Sequence, residues 1–598
     1  MKDFRWFGFF ALIFLVAPNC VQAFGDMRDV SEVCAKLPPQ TVLFLLCENA
    51  GQTASAIETS SIGKIWKHAK LDEVFASSLT FAEEFRRNVA LEDDFSLWES
   101  IKESRATVWL AVIEVDGVFE VAISIEQHEP SKLEKTIASG VGWKFDSEVF
   151  KSVNIQKLQF SNACMFSWKE QLYFTSSVKL AKKLIDLDSM SATENLAATR
   201  KFQRCAKLQQ SKFDLWCYCD PTVIARLSGR NLRENSPAVD DRFMANNLGE
   251  ILAVFGSLTF ANTEEASSEL FMAEIQMLLA VPNRRFARLL AFKETDELDD
   301  TFVVPANCDA VARISFDLAE LFRGAEETVD STHGSNTFRS QFVGAYKEWG
   351  IDVEDFLTRQ LTGGVTMYYR QSELNKYVGI ASLDVPLDFA IDVGDEEEAR
   401  DFLAKLHAAA DENQSRELVD VQGVPVWRDK EEARQRLKEN LRVHYNREMP
   451  VPELILAAFN QRISMCYSIE DMKANLDAWQ EKKTIDLEIS DWRRVDKAIT
   501  RLAGKQTVST RIYFRNGVQY KYFYEYLKSG NAISTFIDYS YPPKLVNRFV
   551  DLQKKLRELP DSKDLLEDIP AAGAFISGNP REGHIAFTFF ELNGAAGK

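Results

Sequence analysis

Hydrophobic and polar residues alternate along much of this chain, and two distant stretches do so in the same manner. Residues 119–125 set Phe119, Val121, Ile123 and Ile125 against Glu120, Ala122 and Ser124. A two-residue period predicts a strand with unlike faces. A turn at Glu129-Pro130 and a helix from Ser131, carrying Leu133 and Ile137, follow. Residues 387–393 repeat the style, and Gly394-Asp395 then leads into a helical spacing of Ala399, Phe402 and Leu403. A second pair agrees. Residues 171–176 run as a strand into the helical pattern 178–184, and residues 462–468 run likewise into 470–476. Ser177 and Ser468 stand where a hydroxyl can cap each helix.

The upstream order matches too. Residues 37–43 open one half and residues 304–311 the other. Residues 90–94 and 350–354 each precede a short helix and a strand, at 108–112 and 365–369. Insertions then fall in loops, one of them the charged run from Arg428 to Arg442, which reads as a solvated helix between strands. The pattern predicts an α+β protein of two similar halves by internal duplication. Each half is an antiparallel sheet with helices packed on one face.

Between the halves the pattern changes. Residues 244–254 read as helical, 270–275 as strand or helix, and 282–290 as a turn entering a helix. The polar stretch 230–242 reads as an exposed loop. Near the C-terminus, residues 507–514 and 518–526 read as an aromatic hairpin around Arg515-Asn516-Gly517, since Asn-Gly is a strong hairpin signal. A helix at 545–559 and a closing strand at 584–592 follow. The expected divisions are therefore 1–23, an N-terminal repeat at 24–242, a central connector at 243–302, and a C-terminal repeat at 303–598.

The first of these segments reads as an export signal. Lys2 and Arg5 precede an apolar run over residues 7–17, broken at Pro18-Asn19, and Val21-Gln22-Ala23 offers a cleavage site. The run is too short to span a bilayer comfortably. A periplasmic or extracellular location is expected, with no spanning segment in the mature chain.

Composition narrows the class. The 598 residues are 46% hydrophobic and 27% charged, which excludes a collagen, a coiled-coil rod and a wholly disordered chain. The 42 phenylalanines promise large aromatic cores. The formal charge is −18, and loss of Lys2, Arg5 and Asp3 with the signal makes it −19. Such a chain is repelled by nucleic acid and by anionic membranes. Eight cysteines remain after residue 23, too few for a disulfide scaffold. Buried thiols are the expectation, and Cys34–Cys47 is the best candidate for one bridge. Cys217 and Cys219 share a strand face, but the six histidines show no ligand spacing. No metal and no cofactor is implied.

Catalytic motifs are scarce. There is no GxSxG, Walker A, GxGxxG, HExxH or EF-hand pattern. Ser61-Ile62-Gly63-Lys64, Ser152-Val153-Asn154 and Lys528-Ser529-Gly530 follow the order of serine acyl-transfer motifs, though each is short enough to arise by chance. The acidic runs Asp93-Asp94, Asp240-Asp241 and 395–398 suit helix N-termini better than calcium. Tyr520, Tyr522, Tyr524 and Tyr526 would share one strand face. That ladder reads first as packing under helices and second as a binding face.

The start Leu37-Pro38-Pro39-Gln40-Thr41, the following Ser61-Ile62-Gly63-Lys64-Ile65-Trp66, the pair Arg284-Arg285 and the second start at Pro305-Ala306-Asn307-Cys308-Asp309 carry a resemblance. The chain resembles the large secreted proteins of unknown function in planctomycete-type bacteria, over most of residues 37–330. The resemblance implies no activity and no site residues. The expected function is that of an exported soluble envelope protein with a non-catalytic binding or structural role, toward an envelope protein or glycan. The alternative is an envelope hydrolase with its site in the cleft between the halves.

Overall fold

The computed structural model describes residues 30–68, 106–126, 145–159, 162–187, 194–208, 213–223, 251–260, 269–280, 288, 293–295, 305, 308–370, 387–410, 416–445, 453–481, 491–515, 517–529, 543–561, 569–579 and 583–592. The expected export signal, the turn and helix expected after Glu129, residues 90–94, the expected loop 230–242 and most of 282–290 lie outside them. The protein is α+β, and it divides into two compact units, Met1–Ala280 and Val281–Lys598.

Among its described residues the first unit holds ten strands: β1 Thr41–Cys47, β2 Val108–Val115, β3 Val118–Glu126, β4 Phe145–Phe150, β5 Val153–Leu158, β6 Cys164–Trp168, β7 Gln171–Thr175, β8 Leu215–Cys219, β9 Ile251–Phe260 and β10 Glu269–Leu279. Every pairing is antiparallel, in the order β4-β5-β6-β7-β3-β2-β1-β8-β9-β10. Its helices are α1 Val30–Cys34, α2 Ala50–Thr59, α3 Ser61–His68, α4 Val178–Leu187 and α5 Arg200–Leu208. Ser177 caps α4 as its spacing predicts, accepting from the Leu180 N–H at 3.0 Å. The core is aromatic. Phe44 lies 6.3 Å from Trp109 and 5.9 Å from Trp216, ring centre to ring centre, and Phe202 of α5 meets Trp216 edge-on at 5.8 Å. Burying one such ring removes about 150–250 Å² from water. That is on the order of 4–6 kcal/mol before chain entropy is subtracted.

The described residues of the second unit also hold ten strands: β11 Ala310–Ser315, β12 Leu361–Tyr369, β13 Leu387–Val393, β14 Arg416–Val421, β15 Val424–Asp429, β16 Ile455–Phe459, β17 Arg462–Cys466, β18 Val508–Phe514, β19 Ala572–Asn579 and β20 His584–Leu592. They pair antiparallel in the order β14-β15-β16-β17-β13-β12-β11-β18-β19-β20. The helices used below are α6 Leu318–His333, α7 Glu396–Ala410, α8 Glu431–Tyr445, α9 Ile469–Gln480, α10 Trp492–Ala503, α11 Val518–Lys528 and α12 Pro543–Arg557. Ser468 caps α9 through the Asp471 N–H at 3.1 Å. The charged helix expected between strands is α8, and it joins β15 to β16.

Three expectations need correction. Residues 251–254, read as part of a helix, lie in β9, and the 251–279 part of the expected connector supplies two strands of the first sheet. The cause is pairing on both sides. β9 lies between β8 and β10, close enough that a Cβ on Gly256 would stand 2.4 Å from the Glu274 carbonyl oxygen. The segment 518–526, read as a hairpin strand, is helix α11. Both edges of β18 are already taken, by β11 and β19, so no ladder is left for a hairpin partner. The Gly517 carbonyl instead accepts from the Tyr520 and Lys521 N–H groups and starts the helix. Finally, Cys34 and Cys47 form no disulfide, and neither do the other six described cysteines. Cys34 joins the Phe44 and Leu46 cluster, whereas strand alternation turns Cys47 to the other face of β1.

Candidate functional site

The first unit contains a cavity of about 500 Å³ at one end of its sheet. Four pieces of chain make it. The β6–β7 hairpin turns at Lys169-Glu170, with Lys169 at φ 54°, and sets Trp168 opposite Gln171. The end of β3 brings Glu126 beside Gln171. Ala35 and Lys36 follow α1, and α4 supplies Leu184 and Leu187. The inner wall is Trp168, Gln171, Tyr173, Leu184 and Leu187, and the more exposed Lys36, Glu126, Lys169 and Glu170 form the rim.

Gln171 is the informative residue, being only 4% exposed. The Tyr173 hydroxyl donates to its Oε1 at 2.5 Å and the Ser124 hydroxyl donates to the same oxygen at 3.2 Å. The amide is thus placed with its oxygen toward the two hydroxyls. The Tyr173 ring is held in turn by stacking on Phe166 at 4.9 Å and by an edge contact with Trp109 at 5.9 Å. The site is thus a pocket of mixed lining, with apolar side chains beside convergent polar and charged groups, and small-molecule sites likewise combine apolar walls with a few placed polar groups.

The second unit uses its buried polar groups differently. Arg313 donates to Asp392 at 2.6 Å and to Thr366 at 2.8 Å, while Arg462 donates to the other Asp392 oxygen at 3.0 Å. Arg370 pairs with Asp388, lies 3.5 Å from Asp471 and donates to Asn475. Arg511 and the Tyr513 hydroxyl both donate to Asp496, at 2.8 and 2.6 Å. Asp471 and Asn475 are on α9 and Asp496 on α10, so these networks fasten helices to strands. Each of these carboxylates is matched by a guanidinium, which suits fixed ion pairs rather than proton transfer.

The cysteines are poor nucleophiles. Burial pushes the Cys47, Cys164 and Cys308 thiols up to about 11 and Cys205 and Cys466 to about 12. They stay thiols at neutral pH. Among the described residues, no three His, Cys, Asp or Glu side chains gather closely enough to hold a metal ion.

The motif residues are divided between the two units. Ser61 is buried at the start of α3, and Ser152 sits in the β4–β5 turn at φ 66°. Lys528 belongs to the other unit, where it pairs with Asp561 at 2.6 Å. Because the segment is helical, the single strand face expected for the tyrosine ladder does not form, and Tyr520 and Tyr524, four residues apart, share a helix face. Tyr524 is 1% exposed and donates to the Pro560 carbonyl at 2.9 Å. Burial and its hydrogen bond with Glu591 push the Tyr520 hydroxyl upward. The side chains of Tyr522 and Tyr526 lie outside the described residues. Sequence reading missed Gln171 and Ser124. The available signal was Gln171 and Tyr173 at a two-residue spacing on one face of a strand expected to be buried.

No protein-family profile and no curated protein matches the chain. Among solved structures it is similar to TP0453 in its crystal forms IV, I and III. The identities are 12%, 13% and 13%, over 42%, 44% and 44% of this chain and 83%, 88% and 89% of that one. The TM-scores of 0.23, 0.22 and 0.23 carry no function across.

Proposed function

We propose that the chain is an exported, soluble envelope protein built from a duplicated α+β unit, and that it works by binding a small molecule rather than by catalysis. The cavity beside Gln171 carries this reading. Export is supported by the basic, apolar and small-residue succession over residues 1–23. No helix among the described residues is long and apolar enough to cross a membrane.

Duplication is supported by the strand orders, which coincide when each unit is counted from its own first strand. A helix follows β7 and β17 alike, and another precedes β8 and β18. Helices on one face are supported in the first unit, where α1, α4 and α5 all contribute to the Phe44 cluster. The matched positions also favour the first unit as the binding one. Glu126 pairs with Gln171 at the mouth of the cavity, whereas the corresponding register pair is Asp392 and Arg462, joined in an ion pair. One copy keeps a pocket where the other keeps a salt bridge.

The test has two arms. N-terminal sequencing of the protein from the envelope fraction should begin at Phe24, and a cytoplasmic chain with an intact N-terminus overturns export. N-phenyl-1-naphthylamine, an uncharged fluorophore, should bind the purified protein saturably. Leu184→Trp, which fills the cavity, should abolish that signal without unfolding the chain. Binding that survives the substitution places the dye elsewhere and sinks the cavity as the site.

A further inference from the structure

We infer that the cavity takes an uncharged, amphipathic small molecule whose carbonyl or similar oxygen accepts a hydrogen bond from the Gln171 amide. This rests on the cavity being the binding site proposed above. The amide oxygen already accepts from Tyr173 and Ser124, so the NH₂ group is turned the other way. Among the described residues, that nitrogen has no hydrogen-bond partner. Two donors on a residue only 4% exposed, in the wall of a cavity, favour a ligand that brings an acceptor. An amide N–H left unmatched when a ligand displaces water costs on the order of 1–3 kcal/mol. A ligand offering only donors meets that cost in full.

Charge is settled by the walls. The inner residues Trp168, Gln171, Tyr173, Leu184 and Leu187 are all uncharged. At the rim, Lys36 and Lys169 balance Glu126 and Glu170. An ion pressed against the uncharged inner wall would lose its water, and the two lysines and two glutamates of the rim together favour neither sign. Leu184 and Leu187 offer an apolar bed on α4, so the ligand needs an apolar body as well as its oxygen.

Three dyes of similar size separate these claims. The uncharged ketone 6-propionyl-2-(dimethylamino)naphthalene has the acceptor, N-phenyl-1-naphthylamine lacks a carbonyl, and 1-anilinonaphthalene-8-sulfonate adds a negative charge. The ketone should bind best to the unmodified protein, and the sulfonate at least about tenfold more weakly than the amine, a gap of about 1.4 kcal/mol. Gln171→Met should weaken the ketone about tenfold and leave the amine within about twofold. Gln171→Glu keeps an oxygen for Tyr173 and Ser124 but removes the NH₂ donors, and it should lower the ratio of ketone to amine binding in the same way. Failure of the amine to bind the unmodified protein would overturn the binding site itself. Amine binding at the cavity, with the ketone no better than the amine or the sulfonate equal to it, overturns this inference and leaves the site standing. The dye ratios on the unmodified protein decide the matter even where a variant does not fold.

Discussion

Glu48 and Asp214 meet because of strand register. Cys47 pairs with Leu215, so the next residue of β1 and the preceding residue of β8 fall side by side. Burial, with Asp214 adding to it, pushes the Glu48 carboxyl from 4.5 up to about 7. Burial raises Asp214 as well, partly offset by the Phe260 N–H. The folded protein then holds a proton that the unfolded chain has already released. The stabilisation from Glu48 is fully present below about pH 4.5 and is lost as pH rises through about 7. Thermal melts from pH 5 to pH 8 should show stability falling, and Glu48→Gln should flatten that fall and raise the melting point at pH 8. A variant with the same slope as the parent would remove Glu48 from the account. Neither Glu48 nor Gln171 was legible in the sequence. A lone carboxyl at a strand end and a glutamine in a strand both resemble solvated residues until pairing shows what lies opposite. Ser177 and Ser468 were legible, because capping depends on the few residues that follow.

At the level of strands and helices, what could be read was what local spacing determines. The alternating strands β3 and β13 and the strand-to-helix steps into α4 and α9 formed where expected. The charge density of α8 marked it as a solvated helix, and its residues are largely exposed. Replacing residues 430–452 by a short loop should therefore leave cooperative urea unfolding intact, since β5 and β6 are joined by five residues, 159–163. Loss of cooperativity would show that α8 supports the sheet. What misled was non-local. The tyrosines of α11 alternate as in a strand, and only the filled edges of β18 exclude one. Gly256→Ala should cost about 1–3 kcal/mol, because the new Cβ would meet the Glu274 carbonyl in an adjacent strand with little room to move. Ser468→Ala should cost about 1 kcal/mol by urea titration, through the lost cap on α9. A neutral result would assign the end of α9 to its packing alone.

For the molecule as a whole, two units with the same strand order carry different interiors. Aromatic rings dominate the first, and Arg–Asp pairs are set among the apolar residues of the second. The formal charge of −18 remains a whole-chain property. Micromolar protein should leave a labelled DNA duplex unshifted even at about 50 mM salt, where phosphate contacts are strongest. A shift would mean that a local basic surface outweighs the total charge.

The strand order also bears on how the chain acquires its structure. β1 lies in the middle of the first sheet, yet Leu43 must wait for Cys219 to complete its second ladder, and Ala310 must likewise wait for Phe514. Each unit begins synthesis with a central apolar strand whose last neighbour arrives nearly a full domain later. Such distant pairing makes folding slow and leaves sticky edges open meanwhile. The chain meets this twice in one synthesis, so a chaperone that holds its unpaired strands apart should raise the yield of folded protein.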